Sequence, residues 1–566
     1  MKPRHERLWL AGLLIASFCL NLYQLGTPSL FDQDESEYAQ IAVEMVRTGD
    51  PVTLHVNGEP WYVHPPLYMW LVAATGRLLD FNELTIRIWS VLGSLLAVYA
   101  TVLLGRDLWN PRVGLLAGTI LALTLQYLMQ SRLAVFDTVL LAWMLLALHA
   151  FARGYRSGRR GDFVRFFLFA GLATLTKGPI GLLLPGLIIA AFVALRRAWP
   201  RLREVPWGMG LAVYAAVGLS WYGAQIALHG WAFLSANVGY YTLGRFFGVV
   251  EKHSAPWYFY VPVVLLGAFP WTTFWPAAAA LHLRRRRTSD GSLLVLLGVA
   301  VPFLFYTAAQ TKLPGYIMPV LPFAAIGVAA LWEPLLDQER IDWPVGISLW
   351  LLLALVAALF GAVAVFVGGA YPDAYRSAAG VLMLPAGILA GGVVLVLGLA
   401  ARGRPAAVFA ALCVTMAATW VVLLTWVLPL AEAQKPIRPL AAALRAGLHP
   451  GDRIVAYRMG TAASLIYYTG RHVEYAETGA ALRRDLCVPG RVFLVATRWE
   501  LAALDWTPPR MTPVADHAGT LLLLKPAAVE CAPGAAQKAP LRVGDNPPEQ
   551  LSRAQDRLTL LRIVSA

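Results

Sequence analysis

Charge is scarce in this chain. Only 14% of its 566 residues are Asp, Glu, Lys or Arg, against 58% apolar side chains, and a soluble fold of this length has no interior large enough to hide that excess. A soluble protein is thereby excluded and an integral membrane protein expected. Cysteine is scarcer still, and four residues cannot supply a disulfide framework. Cys19 and Cys413 fall in apolar runs, which leaves Cys487 and Cys531 in the tail as a pair that an oxidising compartment would permit to bridge. No Walker A sequence and no complete Gly-x-Gly-x-x-Gly occurs, so a nucleotide site and ATP-driven work lack support. No internal repeat is strong enough to suggest a duplicated transporter.

Long apolar runs are what the chain has. A span needs roughly 20 apolar residues to cross a hydrocarbon core about 30 Å thick. Candidates lie at 8–26, 84–104, 113–129, 134–152, 163–178, 180–196, 206–228, 257–280, 291–309, 316–332, 344–368, 378–401 and 406–429, about thirteen helices. The first lacks a convincing small-residue cleavage site and reads as retained. The net charge of +14 raises the question of nucleic acid. Its distribution answers it: Lys2, Arg4 and Arg7, the block 153–165, the block 196–203, Arg284–Arg287 and the block 401–404 all fall on one side of these spans, as cytoplasmic loops require. The amino terminus is then expected inside, and the loops at 27–83, 130–133, 177–179, 229–256, 310–315 and 369–377, with everything after 429, outside.

Two regions depart from the membrane pattern. In the loop 27–83, residues 35–50 read as an amphipathic interfacial helix stopped by Gly49, Asn57-Gly58 marks a turn, Pro65-Pro66 breaks helix, and a second short helix is expected near 67–80. From 430 the runs 453–458, 472–476, 491–497 and 519–526 are of β type and alternate with helical patterns at 437–448, 460–469 and 499–505. The expected architecture is an all-α polytopic membrane domain over 1–429 and a small α/β domain over 430–566. Residues 530–550 read as a linker, with an amphipathic helix expected at the end.

Acidic residues number 33, and four of them, Asp32, Asp34, Glu35 and Glu37, fall within six positions on the outer side. Asp34 and Glu35 would stabilise the start of the following helix by a few tenths to about 1 kcal/mol, and at a generic helix start that account suffices. Asp137 lies where an unpaired carboxylate is costly, so an ion pair to Arg132 or Lys177 stands beside a functional role. Lys177 at a Gly-Pro break can snorkel, Arg245 can decorate a rim, and Lys312 with Tyr316 can anchor at the interface. Together with Tyr62, His64 and His253 they place carboxylates and cations in several outer loops. Transfer of a sugar from a lipid phosphate wants that mixture: cations for the departing phosphate and a carboxylate to orient or stabilise charge at the reacting centre.

The stretches DQDESEYAQIAVEM, NGEPWYVHPPLYMW, RLAVFDTVLLAW, TKGPIGLLLPG and TKLPGYIMPVLP, in this order, resemble the GT-C membrane glycosyltransferases of the protein-mannosyltransferase clan. The chain is most similar to the bacterial lipid A 4-amino-4-deoxy-L-arabinose transferases of polymyxin resistance. That resemblance implies thirteen transmembrane helices, interfacial helices in the first periplasmic loop and a periplasmic α/β domain, in the bacterial inner membrane. It implies Asp34, Glu35 and Asp137 as catalytic carboxylates and Tyr38 and Tyr316 as motif tyrosines. The implied donor is undecaprenyl phosphate carrying the aminoarabinose, the implied acceptor a lipid A phosphate, and the reaction a direct inverting transfer, by a chain expected to be a monomer. Tyr62, His64, Arg132, Lys177, Arg245, His253 and Lys312 complete the expected substrate-binding set. The pattern departs at His64, where Lys is common in Lys-Pro-Pro-Leu, and at Glu37, where Arg is frequent.

No metal is expected to be required. Some clan members bind a divalent cation at the acidic motif, and His55, His64 or His253 with Asp34 or Glu35 is the alternative here, though no ligand spacing is diagnostic. Two other functions stay open: a GT-C transferase of another polyprenyl-linked sugar, and a transporter or flippase for a lipid-linked substrate.

Overall fold

A computed structural model describes residues 3–250, 254–368, 373–460 and 462–527. The expected linker at 530–550, the expected terminal helix and Cys531 lie outside the described residues. The chain forms two compact units, one of Met1–Leu25, Tyr62–Leu71 and Arg87–Leu428, the other of Gly26–Trp61, Val72–Ile86 and Pro429–Ala566. Much of the loop 27–83 thus belongs to the unit that contains the tail.

In the first unit every predicted span coincides with helix. Seven helices among the described residues are long and apolar enough to cross a membrane, and an eighth is counted if Tyr260–Gly267 and Trp271–Arg285, bent by 105°, form one span. The chain is a multi-pass membrane protein. The expected count of about thirteen is not reached by length and composition alone, because several predicted spans are short: Pro111–Ala122 stops after 12 residues and Ile180–Arg196 after 17. The core is aromatic at its centre, where Trp271 packs on Phe409 and Phe274 on Trp332 at centroid distances of 5.6 and 5.4 Å. Close helix approach depends on small residues: a Cβ on Gly105 would sit 3.0 Å from the Gly114 Cα.

The second unit carries the sheet. A hairpin pairs β1 (His55–Val56) with β2 (Glu59–Pro60), and its turn residues Asn57 and Gly58 have φ of 59° and 82°, the double positive φ that Asn-Gly tolerates. The strands β3 (Arg453–Tyr457), β4 (Glu474–Ala476), β5 (Val492–Thr497), β6 (Thr512–His517) and β7 (Thr520–Lys525) form one sheet in the order β4-β3-β5-β7-β6. β3 is parallel to β4 and β5, whereas β7 runs antiparallel to β5 and β6. The buried runs in β3 and β5 explain their continuous apolar sequence: both faces are covered. All four expected strands are present. β6 was not expected, since its exposed TPVADH lacks an apolar face.

Helix Asp34–Thr48 matches the expected amphipathic helix and ends at Gly49 in the left-handed region, φ 74°. Glu44, 1% exposed, accepts the Asn57 and Gly58 N–H groups at 2.7 and 3.1 Å, which fixes the hairpin turn to this helix. The residue before the helix, Gln33, has φ 72° and ψ −118°. For a residue with a side chain that backbone costs about 1–3 kcal/mol.

Candidate active site

A cavity of about 350 Å³ is lined by Arg106 and Asp107 together with Arg153 and Arg156 of the basic block 153–165, which is expected to face the cytoplasm. A second cavity, about 320 Å³, lies in the same unit among the expected site residues and has mostly apolar walls, including Ile180, Leu183 and Phe305. Its polar end is built by helix termini. Asp137 opens helix Asp137–Ser157 and Lys177 closes helix Arg160–Lys177, each charge at the end its helix dipole favours. Lys177 Nζ meets Asp137 Oδ1 at 2.6 Å. The same ammonium lies 4.8 Å from the Phe136 ring centroid and 4.6 Å from that of Tyr316, so aromatic faces hold it from both sides. Gly178, φ 95°, lets the chain leave the helix at once. Gly315 gives the turn before Tyr316 its close approach, since a Cβ there would collide with Gln130 and stand 3.5 Å from Asp137 Oδ2.

Arg245 enters from another element. Its carbonyl accepts the Thr311 N–H at 3.1 Å, and that of Phe246 accepts the Gln310 N–H at 3.1 Å, so the short helix Arg245–Phe247 and the segment 310–311 brace each other beside the cavity. The guanidinium lies 5.3 Å from the Tyr241 ring and 3.4 Å from His64 Nε2. His64 is 9% exposed, and burial first, then the positive Arg245 and Lys177, hold its pKa well below the ordinary value. The imidazole is therefore neutral at neutral pH, an acceptor for Arg245 and no substitute for the fixed cation that lysine would supply.

That depression has a consequence for stability. In the window between the lowered folded pKa and the ordinary value near 6.5, the unfolded chain binds the extra proton and the folded chain does not. Stability is full above that window and is lost as pH falls through it. Thermal unfolding of the purified protein should show a decreasing midpoint below about pH 6.5, and His64→Gln should flatten that part of the profile. An unchanged slope in the variant would assign the effect elsewhere.

The remaining expected residues divide. Tyr316 lines this cavity with Lys177, His64 and Arg245. Tyr62 lies one residue from the wall and packs its ring on His229 and Phe233 at 5.4 and 5.7 Å. Arg132 does not join Asp137. It is 7% exposed and donates to the Asn21 carbonyl at 2.5 Å, satisfying the open end of helix Pro3–Leu22. Lys312, 7% exposed, donates to the Ala309 carbonyl at 2.5 Å and is absent from the cavity wall. His253 lies outside the described residues. Residues that sequence reasoning missed are Tyr222 and Asn237, both on the wall. They sit inside apolar runs with no motif around them. Asn237 earns its place by donating to the Tyr62 carbonyl at 2.7 Å, which ties the 62–64 segment to its helix.

The acidic motif belongs to the second unit. Asp34 is the first residue of its helix. Glu35, 2% exposed, turns back to accept the Phe31 N–H at 2.9 Å and so closes the turn before the helix. Tyr38 is 3% exposed, its ring edge-on to Trp61 at 6.1 Å. Among the described residues no three His, Cys, Asp or Glu side chains gather as metal ligands.

Comparison with known proteins bears on this arrangement. Residues 63–222 match the family described as dolichyl-phosphate-mannose-protein mannosyltransferase. The undecaprenyl phosphate-alpha-4-amino-4-deoxy-L-arabinose arabinosyl transferase of Pseudomonas aeruginosa is 32% identical over 336 residues, 57% of this chain and 59% of that one. The enzyme of the same description from an Enterobacter species is 28% identical over 56% of this chain and 58% of its own. This chain thus matches somewhat under two thirds of the length of these relatives. The crystal structure of ArnT from Cupriavidus metallidurans bound to undecaprenyl phosphate superposes with a TM-score of 0.79 at 20% identity, covering 93% of this chain and 99% of that one. The fold is of the GT-C type seen in that structure. The matched segment 63–222 carries His64 and Lys177 of the cavity wall and Asp137, which bonds to Lys177 from behind it.

Proposed function

We propose that the chain is an inverting glycosyltransferase that moves 4-amino-4-deoxy-L-arabinose from undecaprenyl phosphate to a phosphate of lipid A, at the periplasmic face of the bacterial inner membrane. The observation that carries this reading is one cavity with apolar walls and a cationic end at Arg245 and Lys177. A polyprenyl tail suits the apolar wall, and its phosphate suits the guanidinium, which offers paired donors to phosphate oxygens. Lys177 is already bonded to Asp137, so Arg245 is the chief phosphate contact and the pair orients the sugar.

The acceptor phosphate is anionic near neutral pH and needs no strong base. One of its oxygens bonds to the anomeric carbon as the bond from that carbon to the donor phosphate breaks, and the electron pair leaves on undecaprenyl phosphate. Asp34 is carried over from the family's acidic motif as the carboxylate that orients the reactants or stabilises the positive charge that develops on the sugar. His64, neutral, contributes geometry through Arg245 rather than charge.

The test is mass spectrometry of lipid A from a polymyxin-sensitive host that makes the aminoarabinosyl lipid and expresses this protein. A pentosamine adduct, with increased polymyxin tolerance, is expected. No adduct on lipid A, but transfer of another polyprenyl-linked sugar, would replace the substrate assignment. Movement of the intact glycolipid between leaflets of reconstituted vesicles, without transfer, would replace the enzyme by a flippase.

A further inference from the structure

We propose that the C-terminal α/β region is a clamp that positions the acidic segment, holding Gln33 in a backbone conformation it would not keep alone so that Asp34 is presented in one direction. The inference rests on the reading of Asp34 as the catalytic carboxylate. The support comes from four consecutive residues, each held by side chains more than 400 positions away. Ser29 donates its N–H to Glu432 Oε1 at 2.8 Å and accepts from Lys435 Nζ at 2.9 Å. Leu30 donates its N–H to the Tyr468 hydroxyl at 2.8 Å, and that hydroxyl donates onward to Glu83 Oε1 at 3.0 Å. Phe31 has the Lys435 ammonium 3.5 Å from its ring centroid. Asp32 Oδ1 accepts from the Ser464 N–H and hydroxyl at 3.1 and 2.7 Å, capping helix Ala463–Thr469.

A loop that is merely covered needs apolar contact, not directed bonds at successive residues. The run of four ends at Asp32, and the next residue is Gln33 with its positive φ of 72°. A side chain disfavours that region and glycine does not. The clamp and the strain are adjacent, and Asp34 follows them directly. The tail is thereby given a task in the reaction: it restrains the approach to the acidic helix, and Ser464 and Tyr468 are positioning residues.

The experiment uses the full chain in lipid nanodiscs, with Ser464→Ala/Tyr468→Phe and the milder Tyr468→Phe alone. Hydrogen exchange in peptides covering residues 29–37 is expected to speed up about tenfold in the double variant, and kcat to fall about tenfold with the donor KM unchanged. Adding Gln33→Gly should restore most of kcat, because glycine reaches the positive φ without the steric cost that the clamp otherwise has to offset. A merely stabilising contact would not be rescued in this way. Unchanged exchange, faster exchange with unchanged kcat, or failure of Gln33→Gly to restore kcat would each overturn the clamp. If the unsubstituted protein transfers no sugar, the reading of Asp34 fails, and the exchange data still decide whether the segment is clamped.

Discussion

Asp34→Asn is expected to lower the rate of sugar transfer about 10²–10⁴-fold, the range that a positioned carboxylate contributes. The substitution keeps the side-chain volume and leaves polar atoms at the start of helix Asp34–Thr48, so a helix-dipole role alone would cost no more than about 1 kcal/mol of stability and little activity. The two accounts separate cleanly. Transfer assayed in membranes at equal protein level, with thermal stability measured in parallel, shows whether activity collapses while folding is retained. Full activity would remove Asp34 from the chemistry. Glu35→Gln is expected to behave differently, because the Glu35 carboxylate already receives the Phe31 N–H inside the fold. Its loss should show in the stability of the turn as well as in rate.

The second large effect concerns Asp137 and Lys177. Their side chains are 15% and 12% exposed, and removing one partner leaves the other as an uncompensated charge in a poorly solvated site. Lys177→Met should destabilise the protein by about 3–5 kcal/mol, and Asp137→Asn by less, since an amide can still accept from the ammonium. The charge-swapped protein, Asp137→Lys with Lys177→Asp, should recover much of the stability and none of the transfer. Recovery of both would make the pair structural. In the swapped protein the carboxylate stands at the carboxyl end of one helix and the ammonium at the amino end of another, against both dipoles, so full recovery of stability is not expected.

How much of this was legible in the chain differs from element to element. Helix Asp34–Thr48, its stop at Gly49 and the Asn57-Gly58 turn follow from local chemistry: apolar spacing, a left-handed cap and a pair of residues that tolerate positive φ. The strands β3, β5 and β7 were legible for the same reason, their apolar runs being long enough to mark buried strands. β6 was not, because an exposed strand at a sheet edge has no periodic apolar signal. Asp137 and Lys177 were visible as charges with no business near a hydrocarbon core. The sequence reading left Asp137's partner open between Arg132 and Lys177.

By itself, the sequence determined a polytopic membrane chain with an added α/β region, ordered motifs that resemble those of the GT-C clan, and a short roster of charges that had to be accommodated. Composition and periodicity suffice for that, since burial of apolar surface is local in its demands and a charge in a membrane is costly wherever its partner comes from. Only the tertiary structure decided the partners. It sent Arg132 to the open carbonyl of Asn21, turned Lys312 to its own loop, made His64 neutral by burying it beside two cations, and tied Ser29, Leu30 and Asp32 to Glu432, Lys435, Tyr468 and Ser464. The reason is directional: a hydrogen bond or ion pair exists only where two groups meet within about 3 Å at the right angle, and that meeting depends on how distant helices and strands are rotated against one another, which no local pattern records.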